Sequence, residues 1–257
     1  MLRAVLAKNP SKTLKGIACL KLGEFLKMDA EGIRQLKEGS EEGKRMESFL
    51  SKETVANLKD SDADKIVKEA EAVLEEAVAQ YGNEYFYTNP KTMKRLTIGD
   101  IAAVELFGIR NLSVGRTAPD IVGDDLDGKP FKLSDYRAKV VVLFFWGNSL
   151  PAARNLYADA EALVKRLEGK PFALVGVNTD ADKDQAKKVI EEEHITWRSF
   201  WNGPEGVYGP ISTKWNTGLP TTYVIDAKGT IRFKNVRGEE MDRAVDRLLT
   251  EMEKNGK

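Results

Sequence analysis

Few side chains in this 257-residue chain can break or make a bond, and their spacing narrows the chemistry further. Cys19 is the single cysteine and His194 the single histidine. One thiol cannot close an intramolecular disulfide, and one cysteine with one histidine excludes a transition-metal site of the usual Cys/His type. Cys19 sits among Ile17, Ala18 and Leu20, the setting of a buried structural thiol. His194 follows Glu191-Glu192-Glu193 with no Ser or Cys nearby in sequence, and reads as a surface residue at a helix C-terminus, where positive charge is favoured. Asp124, Asp125 and Asp127 before Gly128 suggest a calcium loop, but an EF-hand needs a glutamate six residues past the glycine and position 134 is serine. A turn is the better reading. No glycine-rich phosphate loop follows any strand.

What remains is the stretch from Val140 to Arg154. Seven apolar residues, Val140 to Trp146, are mostly β-branched or aromatic, and an unbroken run of that kind reads as a strand buried on both faces. Gly147-Asn148 turns the chain. Ser149 is a good N-cap and Pro151 fits a first helical turn, where its missing N–H costs nothing. A strand that turns directly into a helix N-terminus places unpaired N–H groups at the sheet's edge, where open α/β sheets do their chemistry.

Phe145, Trp146 and Arg154 fit the frame Phe-Trp-Ala-x-Trp-Cys-x-x-Cys-Arg. On these residues the segment resembles the active-site strand and helix of the thioredoxin-like redoxin family, in particular its TlpA-like thiol–disulfide oxidoreductases and AhpC-TSA-type redoxins. The two cysteine positions of that frame fall on Leu150 and Ala153. Two further stretches carry the resemblance. Gly218-Leu219-Pro220-Thr221-Thr222 is similar to the family's cis-proline loop, and Asp127-Gly128-Lys129-Pro130-Phe131-Lys132-Leu133-Ser134-Asp135-Tyr136 to its N-terminal hairpin. A proline opening a central strand is otherwise awkward, because it cannot donate to the ladder, and a cis bond is tolerable only before proline. The resemblance implies that the residue before this proline, Leu219, pairs through its backbone with an extended chain. Phe144 stands where thioredoxins often bury a proton-shuttling aspartate.

The elements that position these residues follow from apolar spacing. Residues 1 to about 110 read as helical. Asn9-Pro10-Ser11 ends one helix and caps the next, Asp64 to Ala79 forms a clean apolar face closed by Tyr81-Gly82, and Ile98 to Ile109 forms another helix. These helix pairs loosely resemble tetratricopeptide hairpins, although no period near 34 residues recurs. Asn111 to Pro119 reads as a linker. After it, strands at Val140, Phe172 and Pro220, helices between, a Lys228-Gly229 turn and a last helix from Glu239 give the order β-α-β-α-β-β-α. The expected fold class is α/β, a thioredoxin-like fold with a central mixed sheet flanked by helices, preceded by an all-α helical domain. The expected domains are 1–112 and 113–257.

Forty basic and forty acidic residues cancel, which gives no reason to expect nucleic acid or an anionic membrane as partner. No apolar run approaches the roughly 18–20 residues that span a bilayer. Met1 to Lys8 is too short and too charged for a signal-peptide core. The expected location is cytoplasmic if the chain is whole, and extracytoplasmic if it is a fragment of an exported family member.

Three functions fit. The first is a redoxin-family module that has lost dithiol exchange and binds an extended peptide or partner protein, with Trp146, Ser149, Pro151, Arg154, Leu219, Pro220 and Thr221 as binding residues. It has no catalytic residue and no cofactor or metal. The second is a thiol–disulfide oxidoreductase or antioxidant protein acting through a partner's thiols or Cys19. The third is a glutathione- or anion-binding domain at the Ser149 helix end, assisted by Arg154. Trp146, Trp197, Trp201 and Trp215, with Tyr208 and Pro210, form either an apolar groove around the site or core, and for Trp146 and Trp197 the reading is core.

Overall fold

The computed structural model describes residues 1–148 and 154–255. The chain separates into two compact units, Met1–Ile109 and Arg110–Lys257.

In the first unit, α1 (Leu2–Lys8) stops at Asn9, and the Ser11 hydroxyl accepts from the Leu14 N–H to start α2 (Lys12–Glu38). Gly39 ends α2 in the left-handed region, at a φ of 65° that favours glycine. Then come α3 (Glu41–Phe49), α4 (Lys52–Asp60) and α5 (Ala63–Tyr81), each opened by a capping side chain: Ser40, Ser51 and Asp62. α2 and α5 pack through Cys19, Leu20, Leu74 and Ala77, all fully buried. Gly23 makes that approach possible, since a Cβ there would lie 2.5 Å from the Leu74 side chain. One element escaped the helical spacing: β1 (Tyr85–Thr88) and β2 (Arg95–Thr97) pair antiparallel before α6 (Ile98–Asn111). Strands of three or four residues are too short to set up a period, so residues 1–110 are helical with one hairpin.

The second unit begins with a small hairpin, β3 (Val122–Asp124) and β4 (Pro130–Lys132), Gly123 opposite Phe131. The acidic loop is a turn: Asp125 Oδ1 accepts from the Asp127 and Lys129 N–H groups. A five-stranded sheet follows. β5 (Val140–Trp146) is buried along its whole length, as the unbroken apolar run requires. α7 (Arg154–Arg166) leads to β6 (Phe172–Asn178), α8 (Lys183–Glu192) to β7 (Ser199–Trp201), and α9 (Pro210–Trp215) to β8 (Thr221–Ile225). β9 (Ile231–Lys234) and α10 (Gly238–Asn255) complete it. The sheet order is β7-β6-β5-β8-β9. β5 runs parallel to β6 and antiparallel to β8.

Alternation along β5 divides the core. Val140, Val142, Phe144 and Trp146 pack with Tyr157, Ala160 and Leu163 of α7 and with Met241, Val245 and Leu248 of α10. Phe145 points the other way, onto Trp215 and Tyr223. Phe144 lies 6.2 Å from Tyr157 and 6.4 Å from Trp197, ring to ring. A carboxylate there would be desolvated among aromatic rings, at a cost of several kcal/mol. The small hairpin is pinned to the sheet's edge by Arg198, which lies 4.0 Å over the Phe131 ring and pairs with Asp125 at 2.8 Å. Phe131 in turn stacks on Phe200.

Candidate functional site

The carboxyl ends of β5 and β6 and the amino end of β8 meet at one edge of the sheet, and local polar bonds hold them there. Thr179, just past β6, sends both its N–H and its hydroxyl to the Trp146 carbonyl, at 2.9 and 3.1 Å. Asp180 uses both carboxylate oxygens: one accepts from the Asn148 N–H and the other from the Asn178 amide, each at 2.8 Å. Its carbonyl accepts from the Trp201 indole. The Tyr157 hydroxyl reaches down from α7 to the Gly147 carbonyl at 3.0 Å. Gly147 cannot easily be larger, because a Cβ would come within 2.6 Å of Thr179 Oγ1 and within 3.6 Å of Leu219 Cδ1. The Leu219 side chain is therefore a neighbour of the turn that follows β5.

On the β8 side, the Leu219–Pro220 peptide bond is cis. Thr221 pairs with Phe145 across the ladder, and its hydroxyl donates to the Gly218 carbonyl at 2.8 Å. Arg237 donates to the Pro220 carbonyl at 3.2 Å, and Thr222 donates to the Val236 carbonyl. Among the described residues, nothing takes up the backbone N–H or C=O of Leu219.

Four residues that the sequence places at this edge, Ser149, Leu150, Pro151 and Ala153, lie outside the described residues. Arg154 opens α7, and its side chain lies outside them too. Leu219, Pro220 and Thr221 come together with Gly147. Trp146 does not line a groove. It is 0 % exposed, its indole N–H donates to Ser199 Oγ at 3.0 Å, and its ring meets Tyr157 edge to face. Gly176 leaves the space for that bond, since a Cβ there would lie 2.6 Å from the indole nitrogen.

The expected tryptophan cluster also divides. Trp146 and Trp197 belong to the core under α7, while Trp215 is buried on the opposite face against Tyr223. Trp201 is half-buried beneath the Lys183 ammonium at 4.2 Å. They come from β5, the loop before β7, β7 itself and α9, on opposite faces of the sheet, so the four do not share one wall.

Asn178, Thr179, Asp180 and Arg237 were not singled out by sequence. A signal was present for the first three, because Asn-Thr-Asp directly after a buried run puts polar groups at the chemically active end of a sheet. Chemically, the edge offers acceptors and donors already engaged. The hydroxyls of Thr179, Thr221 and Tyr157 all donate to carbonyls, and among the described residues no base accepts from them. Among the described residues no cluster of three His, Cys, Asp or Glu could hold a metal ion.

Residues 114–234 match the AhpC/TSA family model. The thiol-disulfide oxidoreductase ResA of Geobacillus kaustophilus (strain HTA426) is 33% identical over 124 residues, covering 47% of this chain and 68% of the relative. ResA of Geobacillus thermodenitrificans (strain NG80-2) is 30% identical over 121 residues, with the same coverage. The chain belongs to the thioredoxin-like redoxin family. Among solved structures, the thioredoxin domain of a thiol-disulfide oxidoreductase from Bacteroides vulgatus is 27% identical with a TM-score of 0.50. It matches 54% of this redoxin and 99% of that chain.

The thiol of this redoxin is held away from reaction. Cys19 is 0 % exposed in the first unit, and its Sγ lies 3.2 Å from the Val73 carbonyl. Burial, with the nearby Glu76 charge, pushes the thiol up to about 11. Because the thiolate is the reactive form, reactivity stays low until the pH approaches that value. Iodoacetamide at neutral pH is expected to leave folded protein unlabelled by mass spectrometry and to add one group in urea. Labelling of the native protein at the rate of a free thiol would contradict this burial. No helix among the described residues is long and apolar enough to cross a membrane.

Proposed function

We propose that the redoxin half of this chain has lost dithiol exchange and serves as a binding module that accepts an extended segment of a partner chain alongside Leu219. The observation that carries this is the replacement of both dithiol positions, by Leu150 and Ala153, in a chain whose one thiol, Cys19, is buried in the other unit. Exchange requires a thiolate to attack and a second thiol to resolve the mixed disulfide, and leucine and alanine supply neither. The backbone of Leu219, unengaged among the described residues, supports the binding half, because an N–H and C=O available at the start of strand β8 can pair with an added strand. Among the described residues around it, the hydroxyls of Thr179, Thr221 and Tyr157 and the Asp180 carboxylate are already engaged.

The names of the relatives favour the second reading, thiol–disulfide exchange, here through a partner's thiols or Cys19. The buried, weakly acidic state of Cys19 opposes the latter route.

Insulin reduction by dithiothreitol separates the two. The protein is expected to leave the turbidity rate at the protein-free background. A rate above background that disappears on thiol alkylation would establish the oxidoreductase. For the binding half, reduced and carboxymethylated lysozyme serves as an extended probe. The amide resonance of Leu219 is expected to shift on addition, and an unchanged Leu219 with shifts elsewhere would refute strand addition there.

A further inference from the structure

Charge balance over the whole chain conceals one local concentration of cations, at the tip of the β1–β2 hairpin. The loop is rigidly built. Asn89, 5 % exposed, accepts from the Lys91 and Thr92 N–H groups through Oδ1, at 2.9 and 3.1 Å, and its own N–H donates to the Lys94 carbonyl at 2.9 Å. This frame lifts residues 90–95 into solvent, all of them exposed. At the apex is Met93, 73 % exposed, with Lys91, Lys94 and Arg95 around it. Tyr85 and Tyr87 on β1 are exposed as well.

None of these three cations makes an ion pair with a described residue. Of the nearby carboxylates, Glu84 accepts from Thr13 and pairs with Lys12, and Asp100 accepts from the Thr97 N–H and hydroxyl at the start of α6 and feels the Lys94 charge without an ion-pair contact. An apolar apex ringed by unpaired cations, with tyrosines behind it, is the order of groups met on entering a bilayer interface carrying anionic headgroups. An exposed tip can meet a plane, whereas residues 89–94 lie in the turn between β1 and β2 and give an added strand no ladder to extend. Single-stranded nucleic acid needs open ring faces on which bases stack. The Tyr85 ring already has the Arg95 guanidinium 4.8 Å from its centre, and Tyr87 meets Phe86 edge to face.

We propose that the β1–β2 hairpin docks on an anionic lipid surface, Met93 entering the interface while Lys91, Lys94 and Arg95 contact the headgroups. The attraction is between solvent-exposed charges, so added salt weakens it. Co-sedimentation of the full chain with vesicles tests it. Binding is expected to phosphatidylcholine vesicles containing phosphatidylserine, to weaken as salt is raised, and to be absent with phosphatidylcholine alone. Each cation contributes about fivefold to partitioning, so Lys91→Gln, Lys94→Gln and Arg95→Gln together are expected to lower it roughly a hundredfold. Met93→Ser is expected to lower it without changing the salt dependence. These positions are solvent-exposed, and far-UV circular dichroism checks that each variant is folded. Equal binding to both vesicle types, or a folded triple variant that binds as the parent does, overturns the proposal. So does retention of polyglutamate or single-stranded DNA, in a hairpin-dependent way, by a chain that ignores the vesicles.

Discussion

A variant carrying Leu150→Cys and Ala153→Cys is expected to reduce insulin disulfides where the parent protein does not. The end of β5 is held by Thr179 and Asp180, and α7 begins at Arg154, a few residues farther on. In redoxins the first thiol sits at the start of such a helix, which lowers its pKa. A fall from about 8.5 to about 7 raises the thiolate fraction at neutral pH about fifteenfold. Two thiols are needed because the second releases the first from its mixed disulfide. Leu150→Cys alone is therefore expected to form a trappable mixed disulfide without turnover. Turbidity with insulin checks the double variant, and intact-mass spectrometry checks the single one. A folded double variant still at background would mean that the edge around Leu219 no longer admits a disulfide, and that more than sulfur has been lost.

Asn202→Ala is expected to lower the stability of the second unit by about 2–4 kcal/mol. Asn202 is 0 % exposed, yet its amide is fully engaged. Its nitrogen donates to the Gly206 carbonyl and, at 2.9 Å, to Ser212 Oγ. Its oxygen accepts from the Ile211 and Ser212 N–H groups at 2.9 and 3.0 Å. The last two are free donors of the first turn of α9, so Asn202 closes that helix from the preceding loop. Alanine strands two buried N–H groups and a buried carbonyl, and leaves the loop between β7 and β8 unbraced. Gly209 sets the closeness of that loop, since a Cβ there would meet the Asn202 backbone. All four tryptophans lie in this unit, so urea unfolding followed by tryptophan fluorescence reads its stability directly. Asn202→Asp keeps the acceptor oxygen but replaces the donating amide nitrogen with a carboxylate oxygen facing the Gly206 carbonyl and the Ser212 hydroxyl. It is expected to be destabilising as well, and less so as falling pH protonates the carboxyl. A fluorescence midpoint unchanged by Asn202→Ala would show the loop to be braced by other contacts.

Local chemistry is enough for much of this molecule. The unbroken run from Val140 to Trp146 specified a strand with two covered faces, and Ser11, Gly82 and Asp182 stand at helix ends where their side chains or backbone suit. That the redoxin cysteine positions fall on Leu150 and Ala153 followed from the resemblance carried by Phe145, Trp146 and Arg154. Periodicity, caps and spacing all act within a few residues of the chain, which is why they can be read from it. The side of the sheet on which each tryptophan settles is another matter. Trp146 is sealed by Ser199, 53 positions away, and Trp215 by Tyr223 across the opposite face.

Asp180 and Arg237 likewise owe their roles to partners brought near by strand pairing: Asn148 for one and the Pro220 carbonyl for the other. The hairpin of Tyr85 to Thr97 was hidden because its strands are too short to show a period, and its unpaired cations vanish in a total that sums to zero. The sequence by itself determined the longer helices and strands and that no cysteine stands at positions 150 and 153. Only the tertiary structure decided which groups are engaged and which remain free, because engagement is a property of distant residues meeting and no local pattern encodes a meeting.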